Sequence, residues 1–137
     1  MVDSHVVVAR IDKIRDCVSK LRVFADLGED AFIEDSAATD GAERNMQIAI
    51  QSAIDIGNHV VADMDLGTPK DYKDIFQLLA KNKIISVGLA RKLISMTGLR
   101  NVLVHDYLEV DLQLIYRIIK NELSDFDEFI SAILKLI

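Results

Sequence analysis

The stretch Leu99-Arg100-Asn101-Val102-Leu103-Val104-His105-Asp106-Tyr107 sets several side chains with chemical capacity into an otherwise apolar, helix-patterned run. Each residue of an ideal helix turns about 100°, so Arg100 and Tyr107, seven apart, return to nearly one face. Asn101 and His105, four apart, form a neighbouring stripe, and the four polar groups share one side. Val102, Leu103 and Asp106 fall mostly on the other side, where the two aliphatic residues are expected to anchor the segment in a core. An imidazole such as that of His105 exchanges protons near neutral pH and serves as acid or base. Arg100 brings a permanent cation whose planar fork suits phosphate, and Asn101 can hydrogen-bond His105 one turn away and fix its tautomer.

Together these groups suit phosphodiester cleavage with no metal required. A ribose 2′-hydroxyl activated by His105 attacks the adjacent phosphate, and Arg100 stabilises the charge of the phosphorane-like transition state. Arg100 and His105 stand five positions apart, about 140° around and about 7.5 Å along an ideal helix. One uninterrupted helix therefore does not aim both at one atom, and a bend or a second copy of the chain is needed. Periodicity alone favours a plainer reading, in which Arg100 and Tyr107 stack on the surface, His105 packs and Asn101 satisfies a backbone group.

The elements that must position this stretch are helices. Proline appears once and glycine six times, and no alternating strand-like run of useful length is present. A long amphipathic helix from about Val7 to Asp26 presents Ile11, Ile14, Val18, Leu21 and Ala25. Cys17 sits beside them as a small core residue rather than a reactive thiol. A short helical turn over Ala31 to Asp35 precedes a polar, small-residue connection, Ser36 to Gly41. A second long helix from about Ala42 to Ala62 carries His59 near its end, read as half-buried packing or a helix-terminus cation. Gly67 stops that helix; Thr68 is expected to cap the next one, with Pro69 first and Asp71 third. The apolar run from Ile84 to Val104 delivers the opening stretch. Gly98 within it marks either a bend or the close passage of other backbone. A further helix holds Leu112, Ile115, Ile118 and Ile119, and Ser124 with Asp127 is expected to cap the last. The fold class is all-α: a compact up-and-down bundle of about five to six helices in one domain, residues 1–137.

Composition narrows the function. The 137 residues, half of them apolar, bury a core without staples. One cysteine excludes an internal disulfide and a cysteine-cluster metal site and suits a reducing, cytoplasmic setting. The start has only four successive apolar residues, too few for a signal peptide or a membrane span. A net charge of -6 argues against a broad basic surface for nucleic acid, so any such chemistry is local.

The run Arg100-Asn101-Val-Leu-Val-His105-Asp106-Tyr107 resembles the Arg-Asn-x-x-x-His-x-Tyr signature of HEPN-domain proteins, specifically HepT-like toxins. Glu43-Arg44-Asn45, Asp55-Ile-Gly57-Asn58-His59, and Leu66-Gly67-Thr-Pro69-Lys-Asp71-Tyr72 followed by Ile75-Phe76 are similar to that family over most of the chain. The resemblance implies a HEPN-like bundle that forms a homodimer with its motifs facing across the interface, and a metal-independent ribonuclease, without cofactor, whose action on cellular RNA arrests growth. It implies as partner an MNT-type minimal nucleotidyltransferase antitoxin, in a larger hetero-oligomer, that transfers AMP from ATP onto the motif tyrosine, Tyr107. Arg100 and His105 are then catalytic, and Asn101 and Tyr107 are supporting or substrate-binding residues. AMP on Tyr107 would occupy the phosphate site beside Arg100 and repel RNA. Arg91 and Lys92 add charge to the same cleft. The competing reading is a non-catalytic helical subunit that docks a nucleotidyltransferase or holds its nucleotide.

Overall fold

The computed structural model describes residues 2–105 and 110–137; for residues 100 and 102–105 it describes the backbone and not the side chains. Seven helices follow one another among the described residues: α1 (Ser4–Ala25), α2 (Glu29–Glu34), α3 (Ser36–Asp63), α4 (Tyr72–Lys81), α5 (Val87–His105), α6 (Leu112–Asn121) and α7 (Ser124–Leu134). The class is all-α as the periodicity predicts, with more helices than the five to six expected. The surplus is α2, which the sequence reads as a short helical turn over Ala31 to Asp35 and which spans Glu29–Glu34.

α1 and α3 form the central pair. α1 buries Val7, Ile11, Ile14, Cys17, Val18, Leu21 and Ala25, a stripe at steps of three and four. Burial pushes the Cys17 thiol above its ordinary pKa, with Lys13 and Lys20 pulling weakly the other way and Asp16 adding to the rise, which suits its place in the core. Four phenylalanines, Phe32, Phe76, Phe126 and Phe129, are all but inaccessible and tie α2, α4 and α7 into one core. The Tyr116 hydroxyl on α6 donates to the Ala25 carbonyl oxygen at 3.2 Å, closing a contact between residues 91 positions apart. At the other end Asp63 Oδ2 accepts from the Asp3 backbone N–H at 3.0 Å, tying the start of α1 to the end of α3. No helix among the described residues is long and apolar enough to cross a membrane.

Three local expectations are corrected. Ser36 to Gly41 is not a connection but the first turns of α3. The Asp35 carboxylate accepts from the Ala38 N–H at 3.1 Å and so starts the helix six residues early. The small residues pack: Ala38, Thr39 and Ala42 are buried, and a Cβ on Gly41 would stand 2.7 Å from the Phe24 ring. At α4 the cap is Asp71, not Thr68. Asp71 is extended, its carboxylate accepts from the Asp74 N–H at 2.9 Å, and the Asp74 carboxylate accepts from the Lys70 N–H at 2.8 Å. This reciprocal pair satisfies two orphan donors and leaves Thr68 and Pro69 outside the helix. At α7, Ser124 is already helical and Leu123 holds the cap position without a side-chain hydrogen bond. Leu123 has helical dihedrals, whereas a serine cap needs extended backbone. Asp127 instead sits 2.7 Å from the Arg22 guanidinium, an exposed pair worth at most about 1 kcal/mol.

Candidate active site

α5 carries most of the candidate stretch. The Ser86 hydroxyl oxygen accepts from the Leu89 N–H at 3.0 Å and organises the first turn. Leu89, Ala90, Leu93, Met96 and Thr97 are buried, and α5 packs mainly on α4, with further contact to α3 and α7. The side chains of Val102 and Leu103, expected in the core, lie outside what the structure describes.

The backbone is helical from Val87 to His105. Positions 100 and 105 consequently stand about 140° around and about 7.5 Å along one helix, the separation that the spacing predicts. Asn101 lies between them and is exposed. Asp106 and Tyr107 fall outside the described residues, so the expected sharing of a face by Arg100 and Tyr107 has no counterpart in the described geometry. Of the two accessory cations, Arg91 is exposed, while Lys92 Nζ lies 3.4 Å from Oδ1 of the buried Asp125 on α7. Lys92 is thus committed to neutralising a buried carboxylate, about 12 Å before Arg100 along the helix.

Gly98 is the unexpected feature. It is helical, yet a Cβ built on it meets nothing within 4 Å among the described residues, so no neighbouring backbone demands a glycine. Gly57 on α3 is the opposite case, since a Cβ there would stand 2.7 Å from Ile75 Cγ2 of α4. Gly98→Ala is therefore expected to raise stability by about 1 kcal/mol through helix propensity alone, read as a higher midpoint in thermal unfolding. A lower midpoint would mean that the backbone at 98 is held by something other than its own helix.

Beside Gly98 lies a cavity of about 670 Å³ between α5 and α6. Among the described residues α6 packs on α1, α2 and α3 rather than on α5, which leaves the cleft. Sequence periodicity missed it, because Ile118 fits the helical stripe of Ile115 and Ile119 yet is only partly buried. Leu114, 39 % exposed beside it, is the one signal that α6 has a second apolar face.

The other stretches that drew attention are scaffold. Asn45 Nδ2 donates to the Gly41 carbonyl oxygen at 2.8 Å. Glu43, on the same turn, has its carboxyl raised above the ordinary range by burial first and by Asp40 second. Asp55 accepts from Gln51 Nε2 at 2.9 Å and lies 3.7 Å from Arg10 Nε. His59 Nε2 lies 3.0 Å from Asp63 Oδ2 without the alignment of a hydrogen bond, half-buried one turn from the helix end. It packs there, as its place in the seam predicts.

The comparisons with known proteins agree with this architecture. A family model described as Ribonuclease HepT-like matches residues 14–133. The chain is 34% identical over 131 residues to the mRNA nuclease HepT of Shewanella oneidensis, covering 95% of this chain and 97% of the relative. It is 25% identical over 132 residues to the tRNA nuclease HepT of Aphanizomenon flos-aquae, covering 96% and 90%. Its fold is similar to the tri-AMPylated HEPN toxin of Shewanella oneidensis solved in complex with an MNT antitoxin, with a TM-score of 0.89 and 32% identity over 97% of this chain and 99% of that one. A family match over most of the sequence and a relative aligned nearly end to end place this chain in the HepT-like ribonuclease family.

Proposed function

We propose that this protein is the toxin of a toxin–antitoxin pair: a metal-independent endoribonuclease that cuts cellular RNA in the cytoplasm, residues 1–137 forming one HEPN-like domain. The observation that carries the reading is the Arg100-to-Tyr107 motif, whose positions 100 to 105 close α5, in a chain that aligns almost end to end with a HepT nuclease.

His105 takes the proton from a ribose 2′-hydroxyl, whose oxygen attacks the neighbouring phosphorus. The bond to the 5′-oxygen breaks, and that oxygen is protonated by an imidazolium. Arg100 holds the charge that builds on the phosphoryl oxygens. Asn101 orients His105 or nearby backbone, and Tyr107 contacts substrate. Because an uninterrupted helix turns positions 100 and 105 away from each other, the complete site is assembled from two copies of the chain about a two-fold axis. That pairing also concentrates Arg100 locally on a chain of net charge -6.

The partner is an MNT-type nucleotidyltransferase antitoxin, bound in a larger hetero-oligomer. The relative solved with its antitoxin is tri-AMPylated, which supports AMP transfer onto this chain as well. The Tyr107 phenol oxygen attacks the α-phosphate of ATP, pyrophosphate leaves, and the AMP blocks the phosphate site.

The test is expression of the chain without its partner, following growth and total RNA, with purified protein assayed in the presence and absence of EDTA. Growth arrest with RNA fragmentation that persists in EDTA is expected. Intact RNA beside retained binding to the nucleotidyltransferase would overturn the reading in favour of a docking subunit.

A further inference from the structure

We propose that the cavity between α5 and α6 is a pocket for a nucleobase of the RNA, one nucleotide or so from the bond that is cut. The inference rests on the ribonuclease reading above and adds to it a determinant of sequence preference.

Gly98 is the first observation. Glycine weakens a helix interior, and here no contact among the described residues compensates, because a Cβ would meet open space. That space opens into the cavity, whose volume of about 670 Å³ lies within the range of sites that enclose small organic ligands. The second observation is its chemistry. Leu99, Val110, Leu114 and Ile118 line it with aliphatic surface that covers the faces of a flat ring, while Asn121, Arg117 and the acidic Asp111 and Glu122 also line it and are exposed. An amide offers the adjacent donor and acceptor that a base edge pairs with, and an arginine suits the phosphate of the same nucleotide. The third is register. Positions 98 and 105 are seven apart and return to within about 20° of one another around α5, about 10 Å apart along its axis. The cavity mouth and the proposed acid–base residue thus share one side of one helix. RNA is recognised sequence-specifically through unstacked bases held in this manner.

The experiment uses the whole chain. Cleavage of a pool of single-stranded RNA oligomers of random sequence is mapped for wild type, Gly98→Leu, Gly98→Ala and Asn121→Ala. Binding of the same pool is measured on His105→Ala protein with and without the additional change Asn121→Ala. Gly98→Leu extends a side chain into the cavity and is expected to weaken binding and raise KM tenfold or more, roughly what the loss of one base contact costs. Gly98→Ala adds only a Cβ and is expected to move KM and preference in the same direction as Gly98→Leu, by less. Asn121→Ala is expected to flatten the preference for one base at a fixed distance from the cut. Sedimentation is expected to match wild type throughout; the unfolding temperature is expected to match in Asn121→Ala and to be no lower than wild type in the two Gly98 variants.

Unchanged preference and unchanged KM in Gly98→Leu and Asn121→Ala would overturn the pocket while leaving the ribonuclease reading intact. Dissociation of the oligomer by Gly98→Leu would overturn it too, assigning the cleft to a second copy of the chain. Base-selective binding that needs Asn121, in a wild-type protein that cuts nothing, would support the pocket and overturn the ribonuclease reading.

Discussion

Arg100→Ala and His105→Ala are each expected to lower the single-turnover rate of RNA cleavage by roughly 10²–10⁴-fold, and to abolish growth arrest, with little change in folding. The size follows from the two roles. Loss of a positioned acid–base group and loss of a preorganised charge facing a transition state typically cost this much each. Arg100→Lys keeps the charge and loses the planar fork, so an intermediate rate is expected. Because the helix separates the two positions, mixing the two inactive alanine variants is expected to restore part of the activity, through mixed dimers that hold one complete site. Thermal unfolding checks that each variant is native. Wild-type cleavage in both alanine variants would remove the stretch from the chemistry altogether.

Phe76→Ala is expected to cost about 3–5 kcal/mol, the usual range for truncating a buried phenylalanine. Phe76 is 1 % exposed, meets Phe129 of α7 edge-on with ring centroids 6.2 Å apart, and approaches α3 where Gly57 leaves room. Three helices therefore lose contact with one deletion, and the cavity left is bordered by rigid partners that cannot close over it. Urea unfolding measures the loss, expected also as a fall of roughly 10 °C or more in Tm. A cost below about 1 kcal/mol would show that α4 is not fixed by this junction.

How far the sequence discloses this molecule depends on whether a feature is local. The stripes of α1 and α3 are legible because burial follows a period of 3.6, and Ile11, Ile14, Val18 and Leu21 are buried as their spacing predicts. Cap positions are less legible, because neighbouring residues compete. Thr68 and Asp71 both suit a cap, and only the reciprocal Asp74 to Lys70 hydrogen bond decides between them. Ser36 to Gly41 looks like a connection by composition, whereas partners distant in sequence, such as Phe24, bury it. The candidate site divides in the same way. The residue types and spacing of Arg100 and His105 stand in the sequence, and the backbone is helical through both positions. The cleft beside Gly98 does not, because it arises from where α6 finds its partners, a property of the whole bundle.

The hydrogen bond from Tyr116 to Ala25 bears on how the molecule is made. α1 is synthesised before the other described helices, yet the cap over its last turn belongs to α6, and Arg22 finds Asp127 only when α7 follows. Contacts of such sequence separation close late and at a high entropic cost. A nascent chain that has reached the motif on α5 still exposes Phe32, which packs against the Tyr116 ring in the finished bundle, and its core remains open. The residues of α5 are thus translated before the bundle that must hold them is complete, and the addition of α6 and α7, rather than the synthesis of α5, sets the moment at which the core closes.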